Sequence, residues 1–376
     1  MTTHHGTHND LHSEQGALPD EHPGRARNPV IKALDLAWLE FSKPDLAASE
    51  RFAHAFGFAT VSRTPDELQL RGTDGGAPCV IVRRGRSKYL GAAFRAADST
   101  DLVRLADHTG ARVHKLPDTI GGVTVDLTDP SGARVRVVSG THQLAGLPAQ
   151  PTQVFNVGHE VRRANGTQRP PREPAKVQRL GHVVLQTTRY VETLNWYLEH
   201  LGLIVSDFKY YEGQRERGPT MSFIRCDRGM TPTDHHTLAM MLGPSNRYVH
   251  SAYQVADLDA LAAGGEYLRE KGFHRSWGIG RHIEGSQIFD YWRDPDGLLV
   301  EHYADGDLFD FSLDPGWSPM TASGLAQWGP PATKDFLGLT PGPEALRELV
   351  SMARALGDDN EFDLTRLRGL LKVAGS

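Results

Sequence analysis

YVHSAYQVAD (248–257), in the second half of the chain, repeats the pattern of YLGAAFRAAD (89–98) in the first half. Further out, WRDPDGLLVEHYADG (292–306) parallels LTDPSGARVRVVSG (127–140), and both contain a DPxG turn between apolar runs. Self-similar segments of this kind are typical of a duplicated architecture. The sequence therefore predicts two similar halves, each built from two modules rich in strand–helix–strand units.

Upstream of these segments, RLGHVVLQT (179–187) parallels ALDLAWLEF (33–41), and each leads through a helix-like stretch to a glycine. In the second half, apolar residues spaced three or four apart between 191 and 201 predict one buried helical face, and Gly202 is placed to end that helix. A second helix is predicted over DLDALAAGGEYLREKG (257–272), which also stops at a glycine.

The repeat sets the expected domain organisation. The first stretch is polar and too poor in apolar residues to order itself, and 144–176 is rich in Pro, Arg and polar residues, as linkers are. The expected units are a disordered tail at 1–28, a first domain at 29–143, a linker at 144–176, a second domain at 177–310, and a tail at 311–376 with helices at 344–356 and 362–373.

Composition restricts the possible functions. The chain has 376 residues, 39% of them hydrophobic and 23% charged, and its formal net charge is −5. This composition is typical of a globular protein and indicates neither a nucleic-acid nor a membrane partner. No apolar run reaches the roughly 18 residues of a membrane span, and the N-terminus lacks the features of a signal peptide. Two cysteines in a chain of this length favour a reducing compartment, so a cytoplasmic location is expected.

Three residues on β-like runs form a candidate metal site. They are His182 in LGHVVLQ (180–186), His250 in YVHSAYQV and Glu301 in the DPDG segment. Two imidazoles and one carboxylate, with other coordination positions open, are the ligand set of non-haem Fe(II) oxygenases.

The repeat offers an internal control for these three ligands. Aligned with the first half, His182 falls at Leu36 or Ala37, His250 at Gly91 and Glu301 at Arg136. Residues required only for folding should recur in both halves, whereas these three occur in the second half alone. We therefore expect metal chemistry in the second half and none in the first.

With these motifs, the chain resembles the type I extradiol ring-cleaving dioxygenases of the vicinal oxygen chelate superfamily over roughly residues 30–310. The resemblance implies an α+β fold of two domains, each of two βαβββ modules forming an open barrel-like sheet, with a non-catalytic first domain and a catalytic second domain. It also implies Fe(II), or Mn(II), bound by His182, His250 and Glu301, and a catecholic substrate that reacts with O2. A homo-oligomer is expected.

The same resemblance suggests three catalytic residues. HHTLAM (235–240) is similar to a family strand whose histidine is the acid–base residue, and His236 takes that place. Because strand residues alternate in direction, only one of His235 and His236 is expected to face the site. GRH (280–282) matches a family turn, so His282 is expected to contact a substrate oxygen or to close the site. Tyr291 is expected to hydrogen-bond a substrate oxygen.

One position departs from the family pattern. Relatives that act on biphenyl diols have Asn–Asp shortly after Gly–Arg–His, whereas this chain has Glu284 and Gly285 there. Either Glu284 substitutes from one residue earlier, or that polar contact is missing. Five residues are candidates for a substrate pocket, with an ordinary core role as the default: Met221, Phe223, Met240, Trp277 and Trp292.

Three alternatives share this fold. A hydroxyphenylpyruvate-type dioxygenase has the same triad but a wider ligand spacing and a C-terminal motif not matched here. A glyoxalase-like isomerase that uses Ni or Zn takes ligands from both modules and an extra glutamate, whereas here the first module supplies only His182. A drug-binding resistance protein would lack the triad. The identity of the diol and the choice between iron and manganese stay open, since both metals accept these ligands.

Overall fold

The computed structural model describes residues 13–339 and 343–374, and its first half is a single eight-stranded sheet with two helices. Within it, each of two successive modules has one strand, one helix and three strands. The elements are β1 (Glu14–Gln15), which lies outside this sheet, then β2 (Asp35–Lys43), α1 (Leu46–Phe56), β3 (Ala59–Arg63), β4 (Glu67–Arg71), β5 (Val80–Arg84), β6 (Lys88–Arg95), α2 (Ser99–Thr109), β7 (Val113–Lys115), β8 (Val123–Thr128) and β9 (Arg134–Ser139).

The second half repeats this order with short insertions. Its elements are β10 (Arg179–Thr187), α3 (Tyr190–Leu201), β11 (Leu203–Tyr211), β12 (Met221–Cys226), β13 (Thr233–Asp234), β14 (Leu238–Leu242), β15 (Arg247–Gln254), α4 (Leu258–Glu270), β16 (His274–His282), β17 (Ile288–Arg293) and β18 (Leu299–Ala304). The predicted α+β fold with two βαβββ modules in each half is confirmed. The predicted helix before Gly202 is also confirmed, and Gly202 has a φ of 62°.

In each half, the first strands of the two modules pair antiparallel at the centre of the sheet, β2 with β6 and β10 with β15. The outer faces of both sheets bury one continuous apolar core beneath the helices. The halves also contact each other directly: Phe52 packs edge-on against Phe273, and Lys43 forms a buried ion pair with Asp294. The two halves therefore share part of one apolar core.

The expectation that 13–28 is disordered is wrong. Glu14 and Gln15 pair with Trp317 and Gly316, and Arg215 forms ion pairs with Glu14 and Glu21. Ion pairs and backbone hydrogen bonds hold this segment in place. A prediction of disorder that is based on apolar content alone does not take such contacts into account. The expectation for residues 1–12 lies outside the described residues.

The segment after residue 310 is not merely a helical tail. After the short strand β19 (Leu308–Phe309), the segment adds β20 (Gly316–Met320) and β21 (Ala326–Trp328), with β20 pairing with β11 and β21 with β16. Both partners are edge strands whose free backbone groups accept another strand. The predicted helices follow as α5 (Pro343–Ala355) and α6 (Leu364–Ala374). Among the described residues, no helix is long and apolar enough to cross a membrane.

The C-terminal segment also completes a helix of the body. α3 has no side-chain cap of its own, and the carboxylate of Glu361 accepts hydrogen bonds from the backbone N–H of Val191 and Glu192 at 2.8 and 3.1 Å. The first backbone N–H groups of a helix lack partners within it, and an acidic group there also favours the helix dipole. The tail therefore packs on the body of this chain.

Gly57 and Gly110 provide a matched test of the packing between the halves. Both end a helix with a left-handed backbone, at φ 104° and 73°. A Cβ on Gly57 would lie 1.7 Å from the carbonyl oxygen of Ala175, whereas a Cβ on Gly110 meets nothing within 4 Å. We expect Gly110→Ala to lower the free energy of unfolding by about 1 kcal/mol, and Gly57→Ala by about 3 kcal/mol or more. Urea unfolding of both variants measures this, and equal losses would contradict it.

Candidate metal centre

Adjacent strands bring His182, His250 and Glu301 together on the inner face of the second sheet. His182 on β10 pairs with Ala252 on β15, and Ala252 pairs in turn with Glu301 on β18. His250 lies two residues before Ala252, so it points to the same face. One donor atom from each of the three side chains lies within 4.8 Å of the other two. The three residues predicted from the sequence therefore converge.

The donor atoms of this cluster are buried and lack ordinary partners. Nε2 of His182 and of His250 lie 3.4 and 3.3 Å from Oε2 of Glu301. Both carboxylate oxygens of Glu301 and both ring nitrogens of His250 are buried without a hydrogen bond to any described residue. Buried polar groups nearly always have a partner, so this arrangement suits a cation that is held between them.

Protonation states also suit a cation. Burial opposes ionisation of Glu301, but contacts with His182 and His250 outweigh it and hold the pKa of the carboxyl below its usual value. Burial lowers the pKa of His182, so its imidazole is neutral at pH 7 and keeps a lone pair. The two imidazoles and the carboxylate could hold a divalent iron or manganese ion and leave coordination positions open.

His282 and Tyr291 form a hydrogen-bonded pair beside the cluster. Nδ1 of His282 lies 2.7 Å from the carbonyl oxygen of Leu325, which can only accept, so Nδ1 carries the proton. Nε2 then accepts from the hydroxyl of Tyr291 at 2.9 Å. Burial lowers the pKa of His282 and raises that of Tyr291 well above its usual value. The ring of Tyr291 also lies 5.1 Å from that of His250, so the pair borders the candidate metal site.

His236 also lies at the cluster, with its ring 4.0 Å from that of His182. His235 is buried as well, and its Nδ1 lies 3.0 Å from that of His236, but its Nε2 faces Asp207 rather than the metal cluster. That only one of the two faces the site stays a prediction, and strand alternation is not its cause. The chain at 235–237 lies between β13 and β14 and is not a strand, so side-chain alternation does not apply there.

The structure shows the surroundings of Glu284 and Gly285, where the sequence differs from the family pattern. Glu284 forms a buried ion pair with Lys209 of β11, so its carboxylate is engaged away from the three ligands. Gly285 has a φ of 78°, and a Cβ there would lie 3.0 Å from Nδ1 of His235. The imidazole of His235 thus fills space that a side chain at 285 would need. The sequence did not predict this role of Lys209. No motif near Lys209 marks it as the ion-pair partner of Glu284.

The pocket candidates divide between the two faces of the sheet. Met240 and Trp292 belong to the main core beneath the helices, as the default expectation had it. Trp277 stacks on Tyr291 at 5.6 Å between ring centroids, and Phe223 lies 5.0 Å from His236. Trp277 and Phe223 therefore border the polar cluster.

The first half has the same architecture at the corresponding place, but different residues. The register of β2 with β6 matches that of β10 with β15 and aligns Trp38 with His182. The predicted equivalents, Leu36 and Ala37, were therefore wrong by one or two residues. Both strands are apolar runs that can be aligned in more than one way by sequence, and the cross-strand pairing, which has the same bulge in both halves, settles the alignment.

The other two equivalents are confirmed. Gly91 and Arg136 occupy the positions of His250 and Glu301. The guanidinium of Arg136 donates at 2.6 Å to the buried carboxylate of Glu40, which also pairs with Arg83 and Arg134. An arginine–glutamate network thus occupies this place in the first half.

Comparisons with known proteins agree with this fold. Residues 179–302 match the Glyoxalase/Bleomycin resistance protein/Dioxygenase superfamily. The chain is 29% identical over 338 residues to metapyrocatechase 2 of Cupriavidus necator, covering 87% of this chain and 98% of the relative. It is 24% identical over 315 residues to an iron-dependent extradiol dioxygenase of Rhodococcus jostii (strain RHA1), covering 80% and 94%.

A crystal structure with the same fold is the Mn(II)-bound glyoxalase from Novosphingobium aromaticivorans, with a TM-score of 0.66 and 21% identity over 83% of this chain and 95% of that one. The fold and the match over residues 179–302 make the chain similar to vicinal oxygen chelate proteins. Among these, its sequence is similar to those of extradiol dioxygenases.

Proposed function

We propose that this protein is an Fe(II)-dependent extradiol dioxygenase that cleaves a catecholic ring beside its two hydroxyl groups. The observation that carries the proposal is the convergence of His182, His250 and Glu301, whose buried donor atoms lack other partners, in a chain related to extradiol dioxygenases. One carbon–carbon bond of the ring breaks, and both atoms of O2 enter the product, one in an aldehyde or ketone and one in a carboxylate. No outside reductant is needed.

His182, His250 and Glu301 hold the metal ion. When bound, Fe(II) supplies a Lewis acid and redox centre with open positions for both the diol and O2. The side chains of β10, β15 and β18 fix the place at which both reactants meet, which removes much of the entropic cost of their encounter.

The neighbouring residues handle protons and orientation. His236 is the acid–base residue: burial lowers its pKa well below the usual value, so it begins neutral and can accept a proton from a substrate hydroxyl. It returns this proton as the ring opens. The hydroxyl of Tyr291 donates to His282 in the free protein and turns to a substrate oxygen when the diol is bound.

A glyoxalase-like isomerase is the second candidate, favoured by the fold shared with the Mn(II)-bound glyoxalase. The residues on the second sheet do not support an isomerase site. Ala239 lies beside Val184 as Glu301 lies beside Ala252, and the two pairs are related by the local two-fold of β10 and β15. An isomerase site with a glutamate from each module would need a carboxylate where this chain has alanine.

Anaerobic loading with Fe(II), followed by a panel of catechols, tests the proposal. We expect one iron per chain, and one O2 consumed for each diol converted to a yellow ring-opened product. The panel includes monocyclic, biphenyl-type and bicyclic diols, and Mn(II) loading is run in parallel. Bound metal without O2 uptake on any diol would contradict the proposal. Turnover of a glutathione hemithioacetal without O2 would favour the isomerase.

A further inference from the structure

A buried hydrogen-bonded chain runs from Asp207 through His235 to His236. Nε2 of His235 lies 2.6 Å from Oδ2 of Asp207, and its Nδ1 lies 3.0 Å from Nδ1 of His236. Their relative exposures are 8% for Asp207, 1% for His235 and 4% for His236. Asp207 is on β11, in a different part of the sheet from the metal cluster. This series of hydrogen bonds therefore reaches His236 from the side away from the cluster.

Donor and acceptor chemistry gives this chain a direction. A carboxylate oxygen accepts, so Nε2 of His235 carries a proton and donates to Asp207. When His235 carries that proton alone, its Nδ1 has only a lone pair and accepts from Nδ1–H of His236. His236 consequently presents the lone pair of its Nε2, which makes no hydrogen bond within 13–339 or 343–374. That form of the imidazole is the one a base requires.

Other contacts hold His235 in this orientation. Its backbone N–H donates to the carbonyl of Asp307 at 2.9 Å, and its carbonyl accepts from Oγ of Ser206 at 2.5 Å. Arg225 donates to the same Oγ at 2.8 Å. On the other side, Gly285 leaves the space that the imidazole occupies. Because the His235 ring is fixed on both sides, it is better suited to making a hydrogen bond of defined geometry than to filling space in the core.

We propose that Asp207 and His235 are positioning residues for His236, which fix its ring and tautomer so that the Nε2 lone pair faces the substrate. The inference rests on the proposed function. When His236 accepts the substrate proton at Nε2, its Nδ1–H continues to donate to His235, and the carboxylate of Asp207 lies at the end of the chain to stabilise the added charge. No proton needs to reach Asp207, and His236 gives its proton back within the same turnover.

Four variants of the full-length enzyme test this role at equal iron content. His235→Leu removes both hydrogen bonds, and Asp207→Asn lets the amide donate to His235 and reverse the chain. We expect each to lower kcat by about 10- to 100-fold with KM nearly unchanged, the range typical for groups that orient an active-site residue. His235→Gln keeps an acceptor for His236 and a donor for Asp207, so it should recover most of the activity.

The fourth variant separates positioning from folding. In a protein that already carries His236→Gln, adding His235→Leu should cause little further loss, because residues that act as one unit are not additive. Full additivity would overturn the proposal, as would normal turnover in both His235→Leu and Asp207→Asn. If His235→Leu does not fold, the comparison is made with Asp207→Asn.

A spectroscopic measurement is independent of activity. In ¹⁵N-histidine-labelled protein loaded with Zn(II), the ¹⁵N shifts should show His236 protonated at Nδ1 and unprotonated at Nε2, with assignment from the His236→Gln and His235→Gln spectra. Asp207→Asn should shift this balance. Protonation of His236 at Nε2 alone would overturn the inference. Failure of every diol to react, with the tautomer as expected, would instead count against the proposed function.

Discussion

Glu301→Gln is expected to give a folded protein that has lost stoichiometric iron and, with it, measurable ring cleavage. The carboxylate is the only anionic member of the cluster and lies between two imidazoles at 3.3 and 3.4 Å. A neutral amide of the same shape keeps the packing but loses the charge that offsets a divalent ion. His182→Ala and His250→Ala should also abolish metal retention. Metal analysis and circular dichroism of each purified variant provide the measurement.

Asp290→Asn is the matched control for this result. Asp290 is equally buried and neighbours Tyr291 on β17, the strand that pairs with β18, but its carboxylate pairs with Arg275. Burial raises its pKa to about 7. This variant should retain iron even if its stability falls. If Glu301→Gln keeps full iron and turnover, the carboxylate ligand has been misassigned.

The internal repeat explains why so much of the architecture could be predicted. The DPSG and DPDG turns recur because both halves have the same fold and need the same turns. The similar segments YLGAAFRAAD and YVHSAYQVAD recur because they form equivalent strands in that fold. His182, His250 and Glu301 stood out because they are absent from the copy. They come together in the folded protein because they lie on three neighbouring strands of one sheet.

The errors have local physical causes. The equivalent of His182 was misjudged because two apolar strands can be aligned by sequence in more than one way, and only their pairing with β6 and β15 shows which alignment is right. The strands at 316–320 and 326–328 were missed because edge pairing depends on which strands remain open, a property of the folded sheet. The contact of Asp207 with His235 joins residues 28 apart, and no periodicity connects them.

His236→Gln is expected to retain iron and bind substrate but to lose turnover by about 10²–10⁴-fold, the usual range for removal of a general acid–base. The argument rests on position and chemistry. The His236 ring lies against that of His182, yet no described residue hydrogen-bonds to its Nε2. A glutamine fills similar space but cannot accept and return a proton at that place.

The measurement is kcat and KM at equal iron occupancy, compared with His235→Gln. His235→Gln should be only mildly affected, because its amide can keep both hydrogen bonds of the chain to Asp207. If His235→Gln is the crippled variant and His236→Gln is near normal, the two roles are exchanged. If neither variant loses activity, the proton must pass through the other pair that borders the metal ligands, His282 and Tyr291, which already share a hydrogen bond of 2.9 Å. Tyr291→Phe would then become the variant with the large loss of turnover.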